Sequence, residues 1–225
     1  MIKSMKFLLS TATGVSLLAA ASLHAISVPV TAIDIGANET VVIHMSNYPD
    51  DYGAYAGVVK LDVNGVMRDG FCIDPWHWDT GATALYDMVP LLDAPKSVDG
   101  TTLNPMGAAA ALQIAQLLKH YYRPNITDVN AAALQLEIWK IVDAAVSTGT
   151  FSLVSIDNDG ADVVAAMGGM ESYLTSNPNA PAANAVALTG RGQDYVIVPD
   201  IGSTALLLGL AMVGMVMMRR KSVGA

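Results

Sequence analysis

Cys72, the only cysteine of the chain, sits in F-C-I-D-P-W-H-W, Phe71 to Trp78, at the end of a predicted strand. A single thiol cannot close an internal disulfide. It is therefore buried and inert, paired with another chain, or reactive as a nucleophile. Sixty-three residues later a predicted helix carries L-Q-L-E-I-W, Leu134 to Trp139. On that helix Ala131, Gln135, Ile138, Trp139 and Val142 share one face by spacing. A glutamine within an apolar stripe is unusual. Left without partners, its amide would cost on the order of 1–3 kcal/mol to bury, so a partner is expected.

The remaining candidates carry less. Asp74, His77 and Asp79 cluster after the cysteine but match no metal-ligand spacing, so a polar loop is the expectation. Asp157, Asp159 and Asp162 have an approximate calcium-loop look. Gly160, however, stands at the fourth position of that loop instead of the sixth, and no glutamate follows at the twelfth. A turn with a helix cap is expected instead. Asn38 and Asn125 begin glycosylation sequons, which carry weight only in a glycosylating host. No G-x-S-x-G, H-E-x-x-H, phosphate-loop or dinucleotide motif is present. The expectation is a protein that is not an enzyme and needs neither a metal nor a cofactor.

The elements that must position Cys72 and Gln135 have two textures. Strands are predicted at Thr40–Met45, Val58–Val63 and Val66–Ile73, with Asn64-Gly65 as a two-residue hairpin turn. Residues 107–122 and 128–146 read as an antiparallel helix pair, alanine-rich and separated at Pro124. A strand at Thr150–Ile156, a turn at Asn158–Gly160, a helix at Ala161–Leu174 and a short strand at Asp194–Ile197 complete the pattern. Residues 176–184 have linker composition. The fold class that follows is α+β, a β-rich domain with a helical pair.

The two motifs resemble those of the Cys–Gln thioester domain of bacterial surface adhesins, named TQXA after its glutamine motif. That family carries aromatic-Cys-aliphatic on a strand and T-Q-x-A-I-W on a later helix. Phe71, Cys72 and Ile73 match the first motif, and Gln135, Ile138 and Trp139 the second. Leu134 replaces the threonine and Glu137 the alanine. The likeness extends from about Val58 to Ile197 and includes Gln193-Asp194. It implies that the sulfur attacks the glutamine carboxamide, that ammonia leaves, and that an amine-bearing surface target can open the resulting thioester covalently. Such a bond requires a dry site and a base near the thiol. Asp74, His77 and Glu137 are the neighbours in sequence. Neither Cys72 nor Gln135 is a large core filler, so replacing either by alanine is expected to leave the fold intact.

Both ends of the chain carry export features. Lys3 and Lys6 precede an apolar stretch from Phe7 to about Leu23, with cleavage expected after Ala25 or after Ala21. Residues 1–25 thus read as a signal peptide. At the other end Val198, Pro199 and Asp200 lead into an uncharged run, Ile201 to Met218, closed by Arg219, Arg220 and Lys221. As a helix the run would measure roughly 27 Å, close to the thickness of a bilayer's hydrocarbon core, and a single transmembrane helix is expected. The one-sided cations predict a cytoplasmic C-terminus before processing. This tail resembles the VPDSG-CTERM sorting signal, a relative of PEP-CTERM. Val198, Pro199, Asp200, Gly202, Ser203, Thr204 and Ala205 match, while Ile201 stands in place of a serine. The resemblance implies processing by exosortase, an integral-membrane cysteine protease or transpeptidase.

Between these ends, residues 26–197 form one domain's worth of chain. The whole chain has 20 acidic and 12 basic residues, and all acids but Asp200 lie in this segment. So acidic a domain repels nucleic acid and anionic surface polymers, which argues against both as partners. Three readings follow: an exported, exosortase-sorted cell-surface or matrix protein with a thioester adhesin module; the same sorted protein with an inert cysteine and a structural role; and, ranked below both, a secreted enzyme of unfamiliar type.

Overall fold

Nineteen residues in one strand, β1 (Ile26–His44), organise the fold. In a computed structural model the described residues are 26–44, 50–77, 81–97, 103–146, 151–190 and 192–198. Strand β2 (Tyr52–Val63) turns into β3 (Val66–Cys72) through Asn64 and Gly65, whose φ angles of 53° and 82° are those of the expected hairpin turn. Asp62 Oδ1 accepts the Gly65 amide at 2.6 Å and fixes the turn. After β4 (Ala84–Pro90) come a 3-10 turn (Leu91–Asp93) and a small ladder of β5 (Pro95–Ser97) with β6 (Leu103–Pro105). Helices α1 (Ala108–Tyr121) and α2 (Asp128–Val146) follow, then β7 (Ser152–Ile156) and α3 (Gly160–Ser176). Strands β8 (Val186–Thr189) and β9 (Tyr195–Ile197) end the described chain. The architecture is α+β.

The main sheet runs β2-β3-β9-β8-β4-β1-β7 and closes on itself, because β1 also pairs with β2. The first residues of β1 pair with β4, the stretch from Val30 to Ile43 with β2, and the last four residues with β7. Closure requires bending, and β1 bends at two register shifts against β2, between Ala32 and Asp34 and between Ile35 and Asn38. Gly57 lies opposite the second shift, where a side chain would meet the Ala37 carbonyl oxygen at 2.2 Å.

Alternation along the strands separates two cores. Val30, Leu61, Tyr86, Leu188, Tyr195 and Ile197 fill the barrel. Ala56, Val58, Phe71, Ala187 and Val196 face outward into a larger core shared with the helices. Helix α2 packs on β1, β2 and β3 and is flanked by α1 and α3. Thr127 Oγ1 accepts the Asn130 amide at 3.4 Å as its N-terminal cap, and Asp128 Oδ1 takes the Asn38 amide of β1 at 3.2 Å. The predicted apolar stripe of α2 is too narrow a description. Every residue from Ala131 to Trp139 is buried, Glu137 included, as befits a helix enclosed on all sides.

Other expectations changed as well. Asp159 stands at the N-cap of α3 in the left-handed region with φ 45°, but its side chain makes no capping bond. Strands β4, β5, β6 and β8 and the first half of β1 were not predicted. Residues 176–184, expected as a linker, are pinned: the Ala183 amide donates to Ala115 O, and Gln116 Nε2 to the carbonyls of Pro178 and Ala180. The signal peptide, the sorting-signal residues Pro199, Asp200, Gly202, Arg219, Arg220 and Lys221, and the expected transmembrane segment lie outside the described residues. Val198 follows β9 directly. Among the described residues no helix is long and apolar enough to cross a membrane.

Candidate functional site

Cys72 ends β3 with 3 % of its surface exposed, and Gln135 lies in the middle of α2 with 1 %. Beside β9 the ladder alternates: the Ile73 amide donates to Asp194 O at 3.0 Å, so the Cys72 amide and carbonyl point to the opposite side. There the β2–β3 ladder has already stopped, at the pair Val59 and Gly70. Gln135 takes the missing strand's place. Its Oε1 accepts the Cys72 amide at 2.8 Å, and its Nε2 donates to the Cys72 carbonyl at 2.8 Å. The partner expected for the buried amide is thus the main chain of the cysteine itself.

Gln193 adds a contact to the sulfur, since its Nε2 donates to Cys72 Sγ at 2.9 Å. The turn between β8 and β9 holds it there. Asp194 Oδ1 accepts the Gly190 amide at 2.8 Å, Tyr86 Oη donates to the Gln193 carbonyl at 3.1 Å, and Gly190 leaves room for the Tyr86 ring. Nothing in the local sequence marks Gln193 as a sulfur ligand. Its side-chain role arises only when β9 pairs with β3.

Asp74 is buried beside the cysteine. Its Oδ2 meets His77 Nδ1 at 2.6 Å and its Oδ1 accepts the Trp76 amide at 3.2 Å. Burial raises the Asp74 carboxyl above its ordinary range, while the facing His77 pulls it back. Asp194 is pushed up to about 7, first by burial and further by the charge of Asp74. The thiol is pushed far up by burial and then by the charges of Asp74 and Asp194, with the Trp139 indole opposing. That indole nitrogen has no aligned hydrogen-bond partner. Burial and the neighbouring carboxylates thus favour the neutral thiol over the thiolate wherever the sulfur is unbonded. Asp74 and Asp194 are the carboxylates beside it, and His77 is bonded to Asp74.

Glu137 does not belong to this group. Two residues along a helix is about 200° around it, so Glu137 points away from the cysteine and toward α3. Lys140 Nζ lies 4.0 Å from its Oε1 and is paired with Glu171. Among the described residues no group of three metal-ligating side chains is assembled. The loop carrying Asp157, Asp159 and Asp162 is a turn into α3, with the Asp162 amide bonded to the Asp159 carbonyl. Asp79 lies outside the described residues.

The VPDSG-CTERM motif is matched over residues 198–222. No curated protein and no solved structure matches the chain. The likeness to thioester adhesins gains no support from these comparisons and stands on its two short motifs alone. The chain carries a VPDSG-CTERM sorting motif, which implies processing by exosortase-type machinery and an exported, envelope-anchored protein.

Proposed function

We propose that residues 26–197 are the working module of a sorted surface protein that joins amine-bearing targets covalently through a Cys72–Gln135 thioester. In this reading residues 1–25 are removed during export, and residues 198–225 hold the module at the membrane until exosortase acts. The single observation that carries the thioester is the clamp of the Gln135 carboxamide on the Cys72 main chain, with both hydrogen bonds at 2.8 Å. The clamp holds the amide against the residue whose sulfur would attack it. The Cys72 amide already donates to Oε1 and would stabilise the negative charge that oxygen gains in a tetrahedral intermediate.

The chemistry balances without a redox partner. Sγ bonds to the Gln135 Cδ, the C–N bond breaks, and the thiol proton leaves with the nitrogen as ammonia. Asp194, with its raised affinity for protons, and the Asp74–His77 pair are the groups that can carry that proton. A target amine then attacks Cδ, an amide forms, and the thiol is regenerated on Cys72. Each molecule makes one bond, so the protein is not an enzyme. No metal or cofactor enters the reaction.

A second reading has its own support. A thiol so disfavoured as a thiolate, beside a glutamine that satisfies two main-chain groups, also suits an inert cysteine and a structural role in an extracellular matrix. Mass spectrometry separates the two. The thioester protein is lighter than its sequence by one ammonia, methylamine adds its own mass on opening the bond, and Cys72→Ala abolishes both effects. Full sequence mass, with a thiol that labels only on unfolding, would leave the structural reading.

A further inference from the structure

A pocket of about 330 Å³ opens beside the cysteine site, and Gln193 and Trp139 belong both to its wall and to the surroundings of Cys72. Its volume suits a small ligand. Tyr52, Tyr55 and Tyr195 supply further aromatic surface, and Asp34 is the carboxylate of its lining. The pocket lies where β1 breaks register, between Ala32 and Asp34. Ile33 and Ile35 at the bulge are 55 % and 41 % exposed, and Tyr55, which pairs with Thr40 and lines the same pocket, is 62 % exposed. Three large apolar side chains on one rim are more than scattered exposure, and together they favour an apolar partner. Asp34 is fixed among them, its Oδ1 accepting the Ile35 amide at 2.8 Å.

We infer that this pocket binds a primary ammonium ion carried on a compact aromatic or apolar body. The body packs on the rim of Ile33, Ile35 and Tyr55. The cation is attracted by Asp34 and by the ring faces, which favour cations over neutral groups of the same shape. The excess of acids over bases in the chain acts in the same direction at longer range. The use of the pocket rests on the thioester reading: Gln193 and Trp139 belong both to the pocket wall and to the surroundings of Cys72, and the bound ammonium gives its proton to solvent before the free amine attacks the carbonyl. In that use the pocket selects which amine reacts, and displacement of Gln193 from the sulfur opens the way.

Binding and reaction are tested separately. The full chain bearing Cys72→Ala, in lipid nanodiscs with empty discs subtracted, is titrated calorimetrically with phenethylamine, phenethyl alcohol and methylamine. Phenethylamine is expected to bind most tightly, and the alcohol, which lacks the charge, about three- to tenfold more weakly. Tyr55→Ala and Asp34→Asn should each weaken phenethylamine by a similar factor. Absence of binding, equal binding of amine and alcohol, or binding that neither substitution weakens overturns the pocket assignment. In the chain with Cys72 intact, phenethylamine should open the thioester faster than methylamine, and Asp34→Asn should remove that advantage. A chain of full sequence mass sinks the thioester and leaves the binding result to decide the pocket.

Discussion

Gln135 has a structural task that its chemistry does not explain away. Two main-chain groups of Cys72, buried where β2 no longer runs alongside β3, have this one side chain as partner. Gln135→Ala, expected to leave the fold intact, should therefore do so only at a cost in stability. Orphaning a buried donor or acceptor costs about 1–3 kcal/mol, so Gln135→Ala, which orphans one of each, should lose about 2–6 kcal/mol in a denaturant melt. Cys72→Ala keeps both bonds and should lose clearly less. Equal losses would mean that water or a shifted strand replaces the amide. Both residues were legible in the sequence, the cysteine because it is unique and the glutamine because an amide stood in an apolar stripe. Gln193 was not. Its contact with sulfur depends on a strand pairing between segments 121 positions apart, and no local spacing encodes it.

At the scale of elements, α2 was readable in extent and type, and its bounds of Asp128 and Val146 are those its periodicity implied. Its environment was not readable. A helix wrapped by a barrel on one side and by α1 and α3 on the other has no polar face, so Glu137 is buried with 2 % exposure. Burial, reinforced by Glu171 and opposed by Lys140, pushes its carboxyl from 4.5 up to about 7. A carboxyl that holds its proton more tightly when folded gives the native state more protons than the unfolded chain between those values. Stability from this group is therefore complete below about pH 4.5 and is lost as pH rises through about 7. Asp194, raised by burial from 3.8 to about 7, acts in the same direction. Thermal melts from pH 4.5 to 8 should show midpoints falling with pH, and Glu137→Gln should flatten part of that fall. A slope unchanged in the variant would mean that Glu137 is charged throughout, held by Lys140. The strands were harder to read. β4 and β8 line a small barrel by pairing with each other, β4 also with β1 and β8 with β9, and the bulges that let β1 serve three partners follow from closure instead of from propensity.

For the whole molecule, the barrel and its three helices form the described part, and the sorting motif begins at Val198, one residue beyond β9. That adjacency matters for display. β9 pairs with β3 through Cys72, so the strand leading to the sorting signal is the same one that abuts the candidate site. The three classes of residue in the tail have separable tasks under the sorting reading. Val198, Pro199 and Asp200 present the motif, the uncharged run enters the bilayer, and Arg219, Arg220 and Lys221 keep the final residues on the cytoplasmic side. Replacing the three cations with Asn or Gln removes the one-sided charge while leaving motif and apolar run untouched. Uncleaved protein should then increase in the medium, and the shortened form should decrease in the membrane fraction, both visible on an immunoblot with an antibody to the 26–197 domain. A Pro199→Ala, Asp200→Ala pair should instead leave uncleaved protein in the membrane, because the anchor persists while the recognition motif is lost. If the charge-free variant is retained and processed like the parent chain, the cations play no part in sorting, and the apolar run alone suffices as the anchor.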